Sequence, residues 1–192
     1  GTLNYLAENG RNVFKYTITD NVTKSSNLKL DVKYESTQKS SLKACKVLGV
    51  KEINNKNLVE CTKLKYSKEK MLEIEDIIYK KKIDTIFMHN DDDLNQDHIE
   101  ASKICKTASR HCKNVLMYQS NFYLSSSSFD PRLFFDITKN YKKKIRALNC
   151  YLDEHDRNNI LFSHTLKRNE IFGVQVGVRY AEAFQVVRML YE

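Results

Sequence analysis

The chain has no tryptophan, one proline and only five glycines among 192 residues. So little proline and glycine excludes collagen-like, proline-rich and glycine-rich linker classes, and no composition shift marks a boundary between domains. No apolar run approaches the roughly 20 residues of a membrane span. The opening GTLNYLAENG has no basic stretch followed by an apolar block, so it does not read as a secretory signal. Cysteine is present but unpatterned: Cys45, Cys61, Cys105, Cys112 and Cys150 are odd in number, scattered, and form no CxxC pair. That argues against a disulfide framework and a zinc ribbon. They read as small buried apolar residues in a reducing compartment, which makes cytoplasm the expected location.

What remains is a globular composition. With 41% hydrophobic and 29% charged residues, the 192-residue chain is expected to form one domain with its own core. The net charge of +8 raises the question of nucleic acid. The lysines, however, gather in two short runs, Lys80 to Lys82 and Lys142 to Lys144, each after a tyrosine and beside an apolar segment. Neither run has the aromatic interleaving of an RNA-binding sheet. Both read as solvated faces that can at most attract an anionic substrate group.

Patterning along the chain alternates strands with helices. Leu3, Leu6 and Ala7 mark a first helix ending at Gly10, followed by a β-rich stretch from Val13 to Thr19. A helix is expected over 39–47 with Gly49 as its stop, then short strands through Leu58 to Cys61. Met71, Ile74, Ile77 and Ile78 predict an amphipathic helix, Ile83 to Met88 a buried strand, Leu94 to about Cys112 a helix, and Val115 to Tyr118 another buried strand. Ser125 to Ser128 reads as a loop. Such alternation predicts an α/β fold with a mainly parallel sheet, in which ligands collect beyond the carboxyl ends of the strands. In a doubly wound sheet the first strand is usually central, yet here the chain opens inside a helix. The expectation is therefore a domain whose first strand and first site-lining turn lie before Gly1.

One stretch carries the chemistry. Residues 89 to 98, HNDDDLNQDH, place two histidines, four aspartates and two asparagines at a strand-to-helix hand-over. A neutral imidazole at His98, in the first helical turn, suits a borderline metal ion. Asp97 beside it suits an orienting carboxylate, and His89 at the strand end suits proton transfer near neutral pH. The plainer reading makes Asp93 or Asn95 a helix cap and the other acids a solvated turn. One histidine with carboxylates is not a closed site, since a catalytic zinc uses about three protein ligands. His111 sits at a helix end, where the dipole favours it. His155 and His164 carry little signal.

HNDDDLNQDHIEAS resembles the second motif of the PIG-L/LmbE-like zinc-dependent N-deacetylases, in the branch with DLNQDH. Three further segments resemble that family in the same order: GTLNYLAENGRNVFKYTITDN at the start, FDPRLFFDITKNYKKKIRALNCYLDE over 129–154, and GVQVGVRYAEAF over 173–184. The resemblance covers nearly the whole chain. It implies a Rossmann-like three-layer sandwich, zinc (Zn²⁺) as cofactor, and removal of an N-acetyl group from an amino sugar in a small glycoconjugate or surface-glycan precursor. His98 would be one of three zinc ligands and Asp97 its companion. The other two ligands and the general base belong to a histidine-proline-aspartate-aspartate motif that would precede Gly1. Asn95 stands where many members carry a histidine, and His89 is the nearest replacement. Gln119 stands where a glutamate is common, and Phe172 where an arginine is. Asn95 and Gln119 are accordingly expected to meet substrate, and these departures bear on which sugar is used more than on the reaction. The expected partner is a small amino-sugar or glycoconjugate, with no nucleic acid and self-association left open. The main rival is an inactive homologue that keeps the fold as a binding protein.

Overall fold

A computed structural model describes residues 1–25, 30–120, 129–151 and 160–190. In chain order the elements are helix α1 (Thr2–Glu8), strands β1 (Phe14–Tyr16), β2 (Thr23–Ser25) and β3 (Leu30–Val32), helix α2 (Tyr34–Leu48), strand β4 (Lys51–Ile53), helix α3 (Lys68–Lys81), strand β5 (Thr85–His89), helix α4 (Gln96–Ala108), strands β6 (Asn114–Tyr118) and β7 (Leu133–Asp136), helices α5 (Tyr141–Leu148) and α6 (Ile160–Gln175), and strand β8 (Ala181–Arg188). The fold is α/β, and its strand pairs are both parallel and antiparallel. The serine run Ser125 to Ser128 and His155 lie outside the described residues. No helix among the described residues is long and apolar enough to cross a membrane.

The chain forms two compact units, Gly1–Cys61 with Phe134–Glu182, and Thr62–Leu133 with Ala183–Glu192. In the first unit β1 pairs with β4 in parallel, Phe14 opposite Lys51. The strand expected over Val13 to Thr19 is shortened to three residues plus a single parallel bridge from Thr19 to Val59. Helix α2 starts five residues before the expected position 39, because its first turn is closed by Thr37, whose hydroxyl and amide both bond the Lys33 carbonyl. It stops where predicted, at Gly49, whose φ of +73° is the left-handed conformation that glycine adopts without a Cβ penalty. Ala44 and Cys45 of α2 and Ala147 of α5 are buried apolar residues of this unit.

The same unit holds a network of charge. Lys144 donates to Glu182 Oε1 and to Asn169 Oδ1, both at 2.6 Å, while Asn169 donates to the Ala181 carbonyl. Glu182 Oε2 also accepts the Thr2 amide at 2.7 Å. Burial alone would raise the Glu182 carboxyl, but the Lys144 ammonium, with the hydrogen bonds from Lys144 and Thr2, holds it well below the usual carboxylate range.

In the second unit β6 lies between β5, parallel to it, and β8, antiparallel. Thr85 faces Asn114 and His89 faces Tyr118 in one ladder; Met117 faces Gln185 and Tyr118 faces Phe184 in the other. Val115, Leu116 and Met117 are all buried, as a strand covered on both faces requires. Helix α3 begins at Ser67, whose side chain accepts the Lys70 amide, and buries Met71, Ile74 and Ile78. Helix α4 is shorter than the expected Leu94-to-Cys112 span. Its first residues serve as turn and cap, and Arg110 to Cys112 form a turn after the Ser109 C-cap. Ile104 and Ala108 of α4 complete the core of this unit.

Candidate functional site

The site grows out of the carboxyl end of β5. His89 is the last residue of that strand, held opposite Tyr118 by the parallel ladder. The next residues are folded by a succession of amide and carboxylate side chains. Asn90 is buried: its amide N–H donates to the Tyr118 carbonyl at 3.0 Å, its side chain donates to Gln185 Oε1 at 3.0 Å, and its Oδ1 accepts the Asp92 amide. Asp93 Oδ1 accepts the Asn95 amide at 2.8 Å. Asn95 Oδ1 then caps α4 by accepting the amides of Asp97 and His98 at 2.9 and 3.4 Å. Each is a short polar side chain bonding the backbone two or three residues on, the local pattern that builds turns and N-caps. Much of the motif's polarity is thus structural, as the capping reading of Asp93 and Asn95 anticipates. Asp91 is an exposed partner of Lys106 at 2.7 Å.

The histidines are brought together. The rings of His89 and His98 stack with centroids 3.9 Å apart and planes 10° from parallel, and Tyr118 packs against His89 at 4.8 Å. His98 Nδ1 lies 2.9 Å from Asp93 Oδ2, whose side chain is only 4% exposed. Sequence reasoning missed Asp93 as a site residue. The available signal was the cap itself: with Asn95 as N-cap, residue 93 lies where the chain folds back over the first helical turn.

Burial, and secondarily the neighbouring His98, pushes the His89 imidazole down to about 3, so it stays neutral across physiological pH. Its Nδ1 is buried with no hydrogen-bond partner among the described residues. Burial above all, with Cys105 and Asp93 adding to it, raises the Tyr118 phenol, which remains protonated. His89, Asp93 and His98 therefore offer two nitrogens and an oxygen within 4.8 Å of one another. Imidazole and carboxylate together are the donor set of a borderline divalent ion such as zinc, and the orphaned His89 nitrogen is a buried polar atom that calls for a partner. An imidazole donates in its ring plane, so two stacked rings do not share one ion unless a ring turns.

Asp97 faces elsewhere. Its carboxylate accepts the backbone amides of Thr62 at 2.7 Å and Leu64 at 3.3 Å, while the neighbouring Gln96 side chain donates to the Thr62 carbonyl. These bonds hold Thr62 at φ +71°, a left-handed conformation unusual for a β-branched residue. The structure does not bring the Asp97 carboxylate to the histidine rings. Gln119 follows directly on β6, half-buried, one residue beyond Tyr118. His111 packs against Tyr79, and His164 is exposed on α6 beside Arg168. Phe172 meets Phe134 edge to face.

No known family pattern matches the chain, and no curated protein is similar to it in sequence. Solved structures do match. The N,N'-diacetylchitobiose deacetylase of Pyrococcus horikoshii superposes over 97% of this chain and 76% of its own, with a TM-score of 0.77 at 17% identity. The zinc-inhibited form of the teicoplanin deacetylase Orf2 matches 96% of this chain and 90% of its own, at TM-score 0.69 and 14% identity. The fold is that of the PIG-L/LmbE-type deacetylases. The same fold also carries other chemistry. The 4-carboxy-2-hydroxymuconate hydratase GalB of Pseudomonas putida matches 100% of this chain and 90% of its own, at TM-score 0.80 and 18% identity. Function must therefore be argued from the site.

Proposed function

We propose that the protein is a zinc-dependent hydrolase that removes an N-acetyl group from an amino sugar in a small glycoconjugate. The reading rests on one observation above the fold itself: neutral His89, Asp93 and His98 converge at the strand-to-helix junction where such sheets bind ligands. A zinc ion bound there supplies Lewis acidity to an acetyl carbonyl and lowers the pKa of a bound water. The chain's own contributions are specific. His98 is the residue that would hold the metal, on a ring pressed flat by His89. Neutral and half-buried, His89 can offer a hydrogen bond to an acetyl oxygen without adding charge. Asn95, which caps α4, and Gln119, the residue after β6, are the candidate contacts to the sugar, and Asp97 ties the first turn of α4 to the Thr62 and Leu64 amides. By resemblance, the general base and two further ligands belong to the histidine-proline-aspartate-aspartate motif, which residues 1–192 do not contain.

With this reading go a cytoplasmic location, no nucleic-acid partner, and a Rossmann-like three-layer sandwich around a mainly parallel sheet. A metal-free binding protein on the same fold is the second reading, favoured by the parallel stacking of His89 on His98. The test is release of acetate from N-acetylated amino sugars and their glycosides by zinc-loaded protein. Release that is abolished by chelation and by His98→Ala supports the deacetylase. Stoichiometric zinc with no acetate from any acetylated sugar, in protein that also carries the general base, overturns it.

A further inference from the structure

Two carboxylates neighbour His98, one five residues before it and one adjacent in sequence, and the structure separates their tasks. We propose that Asp93 is the positioning residue for His98, fixing its ring as the Nδ1–H tautomer and leaving Nε2 as the nitrogen that offers a lone pair to a metal; the metal part of this inference rests on the deacetylase reading.

The argument begins with the inventory of atoms. A neutral imidazole has one N–H and one acceptor nitrogen, and an ionised carboxylate only accepts. With Asp93 Oδ2 at 2.9 Å from Nδ1, the proton of a neutral ring belongs on Nδ1. Asp93 cannot easily swing away, because its other oxygen is occupied by the Asn95 amide at 2.8 Å and its side chain is buried. Asn95 is in turn fixed as the cap of α4, the helix that carries His98. The loop, the helix start and the imidazole are thus tied through one carboxylate. A second constraint acts on the ring face: His89 stacks on it within 10° of parallel, and Tyr118 of β6 packs against His89. The hydrogen bond sets the rotation of the ring about its own axis, and the stack sets its plane. A ring held both ways is preorganised for one ligand direction, the arrangement in which a carboxylate partner fixes the tautomer and raises the basicity of a metal-binding histidine. Asp97, by contrast, has both oxygens committed to the Thr62 and Leu64 amides.

The experiment uses the full chain labelled with 15N-histidine, with ring nitrogens read by NMR in metal-free protein at a pH where the ring is neutral, and with zinc affinity read by competition against a chelating dye. Wild type is expected to show His98 protonated on Nδ1. Asp93→Asn and Asp93→Ala are expected to move the proton to Nε2 and to weaken zinc about 10- to 100-fold. Asp97→Asn should leave the tautomer as it was, which a merely structural role for both acids would not produce. A wild-type ring protonated on Nε2 overturns the assignment even if no Asp93 variant folds. So does an Asp93 variant that keeps the Nδ1 proton, or one whose zinc affinity stays within about twofold of wild type. Wild-type protein with the Nδ1 proton but no affinity for zinc counts against the deacetylase reading and leaves the role of Asp93 standing.

Discussion

Glu182 in the first unit and Asp93 in the second are both carboxylates drawn mostly out of water, and they are satisfied in different ways. Glu182 faces the Lys144 ammonium at 2.6 Å and takes further support from the Thr2 amide. Asp93 meets no lysine or arginine among the described residues; its partners are a backbone amide and an imidazole nitrogen. A full cation and a backbone amide hold Glu182. The weaker partners of Asp93 leave a neighbourhood in which His89 Nδ1 still has no hydrogen bond. A structural ion pair closes its own accounts, whereas a site keeps an unmet demand that a ligand can answer.

That contrast can be broken from either side. The largest effect is expected from Lys144→Met, which strands Glu182 without its main cation. Removing one partner of a buried pair costs about 3–5 kcal/mol. Because 18% of the Glu182 side chain is exposed, the lower figure applies, and denaturant melts should show a loss of about 3 kcal/mol. A double variant with Glu182→Gln that fails to recover most of that loss would show that the pair is not the cause.

His89→Phe makes the opposite cut. Phenylalanine keeps a ring against His98 and Tyr118 but removes the unpaired nitrogen, whose burial costs about 1–3 kcal/mol. Stability is expected to rise by about 1 kcal/mol while zinc binding and acetate release fall. If stability rises and function is untouched, His89 is packing alone. Next comes Asn95→Ala, which removes the cap of α4 and should cost about 1 kcal/mol in thermal melts. Preserved stability there would mean that Asp93 and the stacked rings hold the helix start without help.

The smallest effect is one of pH. The Glu182 carboxyl is depressed in the folded protein, so the unfolded chain takes up its proton first. Its contribution is complete above the ordinary carboxylate range and drains away as pH falls through that range toward the depressed value. Glu182→Gln should flatten that part of the stability curve. An unchanged acid limb would place the sensitivity in other carboxylates.

Local relations were the legible part. The periodicity of Met71, Ile74 and Ile78 located α3, Gly49 located the end of α2, and Asn95 could be weighed as a cap from its place before a helix. The pairing of Asp93 with His98 was harder, because it depends on a loop that doubles back by means of its own side chains. Asp97 meeting Thr62, and Lys144 meeting Glu182, join residues more than thirty positions apart. Periodicity reports neighbours within a turn or two, so partners chosen by tertiary packing leave no mark in it. The stacked histidines fall between these cases. Both were singled out as chemically able, and only the parallel register of β5 on β6 and the cap of α4 bring their rings into contact.

For anyone stabilising this protein, Thr62 is a trap. A β-branched residue at φ +71° carries a standing load of about 1–3 kcal/mol, and glycine in its place would relieve it. The same residue is gripped by Asp97 and Gln96 at the start of α4. Slackening position 62 would loosen the tether one residue from His98, so a variant chosen for a higher melting temperature would be the one whose aim at the ligand drifts.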